Sequence, residues 1–260
     1  MAYDHKPGER RSPIKQKPLP GAGDSLRREI VDSTDDTMAY LIVAALLVAL
    51  AVMHWIWILT KSAPSPWLFT LFALVAAVLC AVKIVRFRRR AKRLIQAREG
   101  ERAVAQHLES ELRREGYEVF HDIPGSGFNV DHLVVGPTGV FAIETKTYSK
   151  PVGRESRVAW GGGGVLVDGR RPSRCPVRQA RATAQWVRGL LAETTGKPIA
   201  VQPVVIFPGW FVEPMPRDCD VWVLNEKPAV TFIRNGRGHL DETTRAQVCG
   251  QIRQYLSRQS

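Results

Sequence analysis

The sequence predicts an α/β domain behind a two-helix transmembrane hairpin, and three observations in its 260 residues lead there. Two long apolar runs stand in the N-terminal third. From Arg98 onward, helical and strand patterns alternate. Within that alternation, twelve residues separate Asp131 from the triplet Glu144-Thr145-Lys146.

Residues 1–37 are rich in Pro, Gly and mixed charge without apolar periodicity, and read as a disordered cytoplasmic tail with at most a short helix around 26–31. The first apolar run, 38–59, has 22 residues, with His54 its only group titrating near neutrality; the second, 67–85, has 19, with Lys83 near its end. At ~1.5 Å per residue they reach about 33 and 28 Å, against a hydrocarbon core about 30 Å thick. Buried soluble helices are the alternative, but neither run has the polar face such helices carry. A signal peptide would start earlier, be shorter and lack a second span.

Orientation follows from the flanks. Segment 86–93 holds six basic residues in eight, whereas the connector 61–66 holds one. The positive-inside rule therefore places both termini and the soluble domain in the cytoplasm, with the hairpin 38–85 in the plasma membrane and 86–97 as a basic juxtamembrane segment continuing the second helix. Trp55, Trp57 and Trp67 flank the connector as an interfacial belt would. His54 among them reads as interfacial rather than as a proton relay, and Lys83 can snorkel to the headgroups.

A formal charge of +12 suits an anionic partner, nucleic acid or a lipid bilayer, without choosing between them. Cys80, Cys175, Cys219 and Cys249 show no CxxC pair and no zinc spacing, so they read as reduced, packed thiols. No internal repeat is visible, and no motif reads on oligomeric state.

The soluble domain spans 98–225, with 226–260 as a C-terminal helical extension packing on it. Residues 101–115 place Val104, Leu108, Glu111 and Leu112 at helical spacing, and Gly116 stops that helix. A strand over 117–123 precedes Pro124-Gly125-Ser126-Gly127. Two strand-rich runs follow, 128–135 and 140–146, joined by Gly136-Pro137-Thr138-Gly139 as a hairpin. Stretches 152–160 and 165–167 flank a glycine tip, Gly161–Gly164. Pro176 opens a helix carrying Gln179, Ala182, Trp186, Leu190 and Leu191 and ending near Gly196. Strands at 201–207 and 220–224 and a closing helix over 242–256 complete the order.

Side chains two apart on a strand share a face, so Glu144 and Lys146 point together, and the hairpin can set Asp131 beside them. Carboxylate oxygens bind Mg²⁺ or Mn²⁺, and a lysine beside such a cation can orient or deprotonate a water. Residues 140–143 read as a central strand buried on both faces, where Glu144 is costly unless paired or metal-bound. An ion pair of Lys146 with Glu144 or Asp131, without chemistry, is the alternative.

The constellation resembles the PD-(D/E)xK nuclease superfamily, with Asp131, Glu144 and Lys146 in the motif positions, and more narrowly the NERD (nuclease-related) domain over 98–225. The supporting residues are Gly100-Glu101 upstream, the turn Val-Gly-Pro-Thr-Gly-Val at 135–140, and Gln179 downstream. Val130 departs from the proline of the superfamily name. The resemblance implies a mixed sheet flanked by helices, and a putting together of Asp131, Glu144 and Glu101 around one divalent cation with the Thr145 carbonyl as a further ligand. It implies Lys146 positioning the attacking water, and Gln179 holding Lys146, the water or a phosphate oxygen. On pattern alone Glu101 could instead complement a helix dipole, and Gln179 could be an ordinary helical residue.

Arg154, Arg157, Arg170, Arg171, Arg174, Arg178 and Arg181 could line a phosphate-backbone groove or form a solvated basic face. Gly161–Gly164 lacks a following Lys-Ser/Thr, so no nucleotide cofactor is expected. His132 points away from Asp131 and reads as packed; His107, His121 and His239 have no ligand spacing. The expected activity is Mg²⁺- or Mn²⁺-dependent hydrolysis of nucleic acid, DNA first, from the cytoplasmic face. The rival is a membrane-tethered module that binds nucleic acid or protein on a nuclease fold without turnover.

Overall fold

A computed structural model describes residues 10–11, 41–42, 45–61, 66–151 and 156–259. The tail expected over 1–37 therefore lies outside the described residues save Arg10 and Arg11, as do 38–40, 43–44, the connector positions 62–65 and Arg154. The chain divides into two compact units, with the boundary between 95 and 96.

The first unit is helical. Residues 45–60 form α1, and Pro66–Leu112 form α2, which continues into the second unit. Among the described residues no helix is long and apolar enough to cross a membrane, so the expected hairpin finds no support there. The apolar side chains of these helices are nevertheless open, Trp67 at 82% and Leu74 at 62%.

One expectation is corrected here. No helix begins at residue 101, because α2 runs unbroken through the basic segment and Gly100 to Leu112. Residues 86–99 contain only good or tolerable helix formers and no proline, and one glycine costs about 1 kcal/mol, too little to end a helix. Glu101 thus lies inside the helix, where no free N–H groups await a carboxylate, and the helix-dipole role falls away.

The second unit is built on one sheet. Two-residue β1 (Arg10–Arg11) pairs with β5 (Lys150–Pro151). Strands β2 (Glu118–Pro124), β3 (Asn129–Gly136) and β4 (Gly139–Thr145) form an antiparallel meander. Strands β6 (Arg157–Gly161), β7 (Gly164–Val167) and β9 (Phe211–Val212) make a separate small sheet. The glycine tip is the tight turn expected, because Gly162 and Gly163 both take positive φ, 59° and 80°. Helix α3 (Pro176–Thr195) starts on its proline and ends at left-handed Gly196. Strands β8 (Val201–Ile206) and β10 (Trp222–Leu224) add in parallel, giving the order β10-β8-β4-β3-β2 with β4 at the centre.

Helices cover both faces. On one, α3 and α5 (Glu242–Gln259) bury Ala184, Val187, Leu191, Val248 and Ile252 against Leu133, Val135, Val140 and Ala142. On the other, the end of α2 and α4 (Glu226–Arg234) bury Val104, Leu108, Leu112, Val230 and Ile233 against Val134, Phe141, Ile143 and Val204. Glu111 leaves that stripe for the rim, 3.5 Å from Arg234. The sequence reading did not resolve α4, which Asn225 caps by accepting from the Lys227 N–H at 3.1 Å.

The β3–β4 turn is anchored in this core. Thr138 Oγ1 donates to the Ile233 carbonyl at 2.6 Å and meets the Tyr117 hydroxyl at 2.9 Å. Gly136 lies flat on the Tyr117 ring, where a Cβ would come within 1.9 Å of Cδ1. Gly136→Ala should therefore lower the unfolding free energy in urea by about 1–3 kcal/mol, the usual cost of overpacking a filled core.

Candidate active site at the end of the central strand

Turn and register together place the candidate carboxylates. In the β3–β4 ladder Gly136 opposes Gly139 and His132 opposes Ile143, so the next positions outward are Asp131 and Glu144. Residues directly opposite in an antiparallel pair share a face. The Thr145 N–H donates to Asp131 Oδ2 at 2.7 Å, tying the two strands where the ladder ends. The Lys146 N–H donates to the Ile206 carbonyl at 2.8 Å, extending the β4–β8 ladder one residue further. The backbone beneath the site is held from both sides.

Above it, charge is crowded. The Glu144 side chain is 3% exposed, and its Oε1 accepts from the Lys146 ammonium, itself 23% exposed. Glu144 Oε2 is buried with no hydrogen-bond partner. Burial pushes the Glu144 carboxyl up, against the pull of Lys146. Asp131 is pushed up to about 8, first by burial and then by the Glu144 charge, with the Thr145 N–H opposing. The structure brings Asp131, Glu144 and Lys146 together.

Glu101 approaches from α2. Burial, then Asp122 and Glu144, push its carboxyl up. Gly100 permits this approach, since a Cβ there would lie 1.8 Å from Thr147 Oγ1. The glycine before Glu101 is thus a packing requirement, letting the helix backbone touch the segment after β4. Among the described residues no three His, Cys, Asp or Glu side chains stand close enough to hold a metal ion, so Glu101 does not join the other two as a direct third ligand.

Gln179 lies in the first turns of α3, and its Oε1 is buried without a partner, so it does not accept from Lys146 here. Arg174 and Arg178 are exposed beside it. Arg171 donates to the Gly162 carbonyl at 2.8 Å, and the Arg170 carbonyl closes the turn after β7 by accepting from Val167. Two of the seven arginines are engaged elsewhere: Arg157 bonds Glu213 at 3.0 Å, and Arg181 grips Asp220 through Nε at 2.8 and 3.0 Å. Their carboxylate partners lie far off in sequence, which the local clustering did not reveal.

Three neighbours escaped the sequence reading. Asp122 takes φ 49°, a left-handed kink within β2 that no local signal announces, and its charge reaches Glu101. Thr147 receives Gly100. Tyr148 stacks on Phe207 with centroids 6.1 Å apart, and burial pushes its phenol up while Lys146 pulls it down. Its place two residues beyond Lys146 was the available clue. His132 is packed, 2% exposed, with Nδ1 2.9 Å from His121 Nδ1, and burial drives it down to about 3. It lies on the sheet face opposite Asp131 and Glu144. All four cysteines are free thiols.

The fold and site define a mixed α/β domain with a carboxylate–lysine centre at the end of its middle strand. Residues 96–208, from α2 through β8, match the NERD family, the nuclease-related domain. A nuclease-related domain implies nucleic acid as its partner. No curated protein and no solved structure matches the chain.

The raised Asp131 group makes stability depend on pH. Its unfolded value is 3.8 and its folded value about 8, so the folded state keeps a proton that the unfolded chain releases. That contribution is complete below about 4 and is lost as pH rises through 8. In chelator, Tm should fall from pH 5 to pH 8.5, and Asp131→Asn should flatten the fall. An unchanged pH slope in Asp131→Asn would contradict the placement of this carboxyl.

Proposed function

We propose that residues 96–259 hydrolyse phosphodiester bonds of nucleic acid, with DNA as the expected substrate and Mg²⁺ or Mn²⁺ as the cofactor. One observation carries the reading. Glu144 sits buried in the central strand opposite Asp131, with Lys146 on one oxygen and nothing on the other.

The residues present fit a hard divalent cation. Mg²⁺ favours sites with one or two carboxylates, completed by water and substrate phosphate, and two carboxylates converge here. Asp131, the free oxygen of Glu144 and the Thr145 carbonyl would hold it, with Glu101 acting through water. When bound, such a cation supplies a Lewis acid for the phosphoryl oxygens and lowers the pKa of a coordinated water.

The chain's own groups do the rest. Glu144 holds the Lys146 ammonium at the mouth of the site, where Lys146 orients the attacking water and donates to phosphoryl oxygens as negative charge grows on them. Gln179 Oε1, buried and unpartnered, is available to accept from that water. Arg170, Arg171, Arg174 and Arg178 supply positive charge for the phosphate backbone, which sets register without reading sequence.

Purified protein should cleave plasmid or oligonucleotide with Mg²⁺ or Mn²⁺, and Lys146→Ala or Glu144→Ala should reduce the rate about a hundredfold or more. Equal inertness of wild type and variants across metals and substrates would sink the enzymatic reading. Metal-independent binding that survives Asp131→Ala, with no cleavage in any metal, would instead identify a binding module without turnover.

We also propose that 38–85 anchors the domain as a hairpin in the plasma membrane, with both termini and the site on the cytoplasmic side. The apolar runs taken whole, the open apolar side chains of α1 and α2, and the basic run at 86–93 support this. Alkaline carbonate should leave the full-length chain in the membrane pellet, and protease added to intact cells should spare the C-terminal domain. Release into the supernatant would refute the anchor.

A further inference from the structure

A groove of ≈ 730 Å³ lies at the opposite end of β4 from Glu144, floored by the first residues of β4 and β8 and walled by α4. Val140 lines it and Glu144 lies four residues further along the strand, about 13 Å at ~3.3 Å per residue. The sixteen lining residues include three arginines, Arg188, Arg217 and Arg237, and no carboxylate. Asp220, beyond the lining, feels Arg188, but the lining itself carries positive charge alone, which suits an anion.

Each arginine is placed differently. Arg188 donates one N–H to the Val201 carbonyl at 2.7 Å, which orients a guanidinium with further donors to spare. Arg237 rides on a loop pressed against the β3–β4 turn. A Cβ on Gly238 would meet the Thr138 carbonyl oxygen at 2.6 Å, and one on Gly236 the Phe141 ring at 2.9 Å. Only glycine allows that approach on either side, so the loop that presents Arg237 is tightly seated. Arg217 is exposed, on the segment before β10. Neither Arg217 nor Arg237 takes part in any of the ion pairs formed among the described residues.

Aromatic rings stand between these charges. Trp222 meets Phe141 and Phe232 at centroid distances of 5.6 and 5.5 Å, and Phe232 is 45% exposed. Three guanidinium groups and one open ring, Phe232, lining the same groove match a polyanion that also offers flat π-faces. In a duplex those faces are stacked inside, whereas in a single strand they are free.

We infer that the groove bounded by Arg188, Arg217, Arg237 and Phe232 binds single-stranded nucleic acid, taking phosphates on the arginines and a base on Phe232. The inference shares with the proposed function only its class of ligand. It requires neither a metal ion nor Lys146.

The test measures binding of a fluorescein-labelled twelve-nucleotide oligothymidylate to the detergent-solubilised full-length chain in EDTA, by anisotropy across a salt series. The Arg217→Ala/Arg237→Ala double variant should reduce the log–log salt slope by about 1.4, at ~0.7 per phosphate contact on a single strand. Phe232→Ala should weaken binding about tenfold while leaving that slope unchanged. Every arm is read as binding in EDTA, where the proposed cleavage does not run, so failure of the catalytic reading and failure of this inference are told apart. The inference is overturned if both groove variants bind like wild type, or if a duplex of equal length binds as tightly through the same arginines. It is also overturned if Phe232→Ala changes nothing, which would leave only a basic rim.

Discussion

A carboxylate in the middle strand of a five-stranded sheet is the constraint around which this domain is arranged. Glu144 is almost wholly buried, and a buried ion costs several kcal/mol unless it is paired. Lys146 answers one oxygen and nothing answers the other. Asp131 is held at the same level by a backbone N–H, which keeps a second carboxyl where the Glu144 charge opposes its ionisation. The backbone here is rigid, locked by the Thr145 and Lys146 amides into both neighbouring strands. The side chains on it are in electrostatic conflict. A firm scaffold under strongly perturbed groups is what supports the proposed catalytic reading.

The surplus positive charge sorts itself once ion pairs are traced. Arg157, Arg181, Arg234 and Arg253 are satisfied by Glu213, Asp220, Glu115 and Glu118, mostly in exposed pairs worth about 0–1 kcal/mol each. Their charge is spent locally. Outside such pairs, exposed arginines include Arg174 and Arg178 near the start of α3 and Arg188, Arg217 and Arg237 at the far end of β4, with others such as Arg113, Arg114 and Arg258 elsewhere on the surface. Positive charge thus stands at both ends of the central strand, with the carboxylates at only one.

Much of the fold was legible because its elements obey local rules. Short runs rich in apolar and β-branched residues, bounded by turn residues, marked β3, β4 and β8. Pro176 and Gly196 bracketed α3, since a proline suits a first turn and a glycine the left-handed cap. The four-residue turn at 136–139 allowed Asp131 to stand beside Glu144, and the observed register sets them opposite each other. The errors are equally local. Gly100 resembled a helix boundary, yet one glycine among helix formers does not stop propagation. Helix α4 was not resolved within the C-terminal extension, although Asn225 offers a good cap. Arg157 and Arg181 looked available because their acidic partners are 56 and 39 residues away.

By itself, the sequence determined the strand pairing of the motif, the shared face of Glu144 and Lys146, and the excess of positive charge. These depend on turn length, side-chain alternation and composition, all properties of short stretches. Only the tertiary structure decided that one oxygen of Glu144 is left without a partner and that Gly100 is there to admit Thr147. It alone showed Asp122 turning toward Glu101, and Arg188, Arg217, Phe232 and Arg237 enclosing one groove. Burial and close approach arise where distant surfaces meet, and no local preference encodes which surfaces those will be.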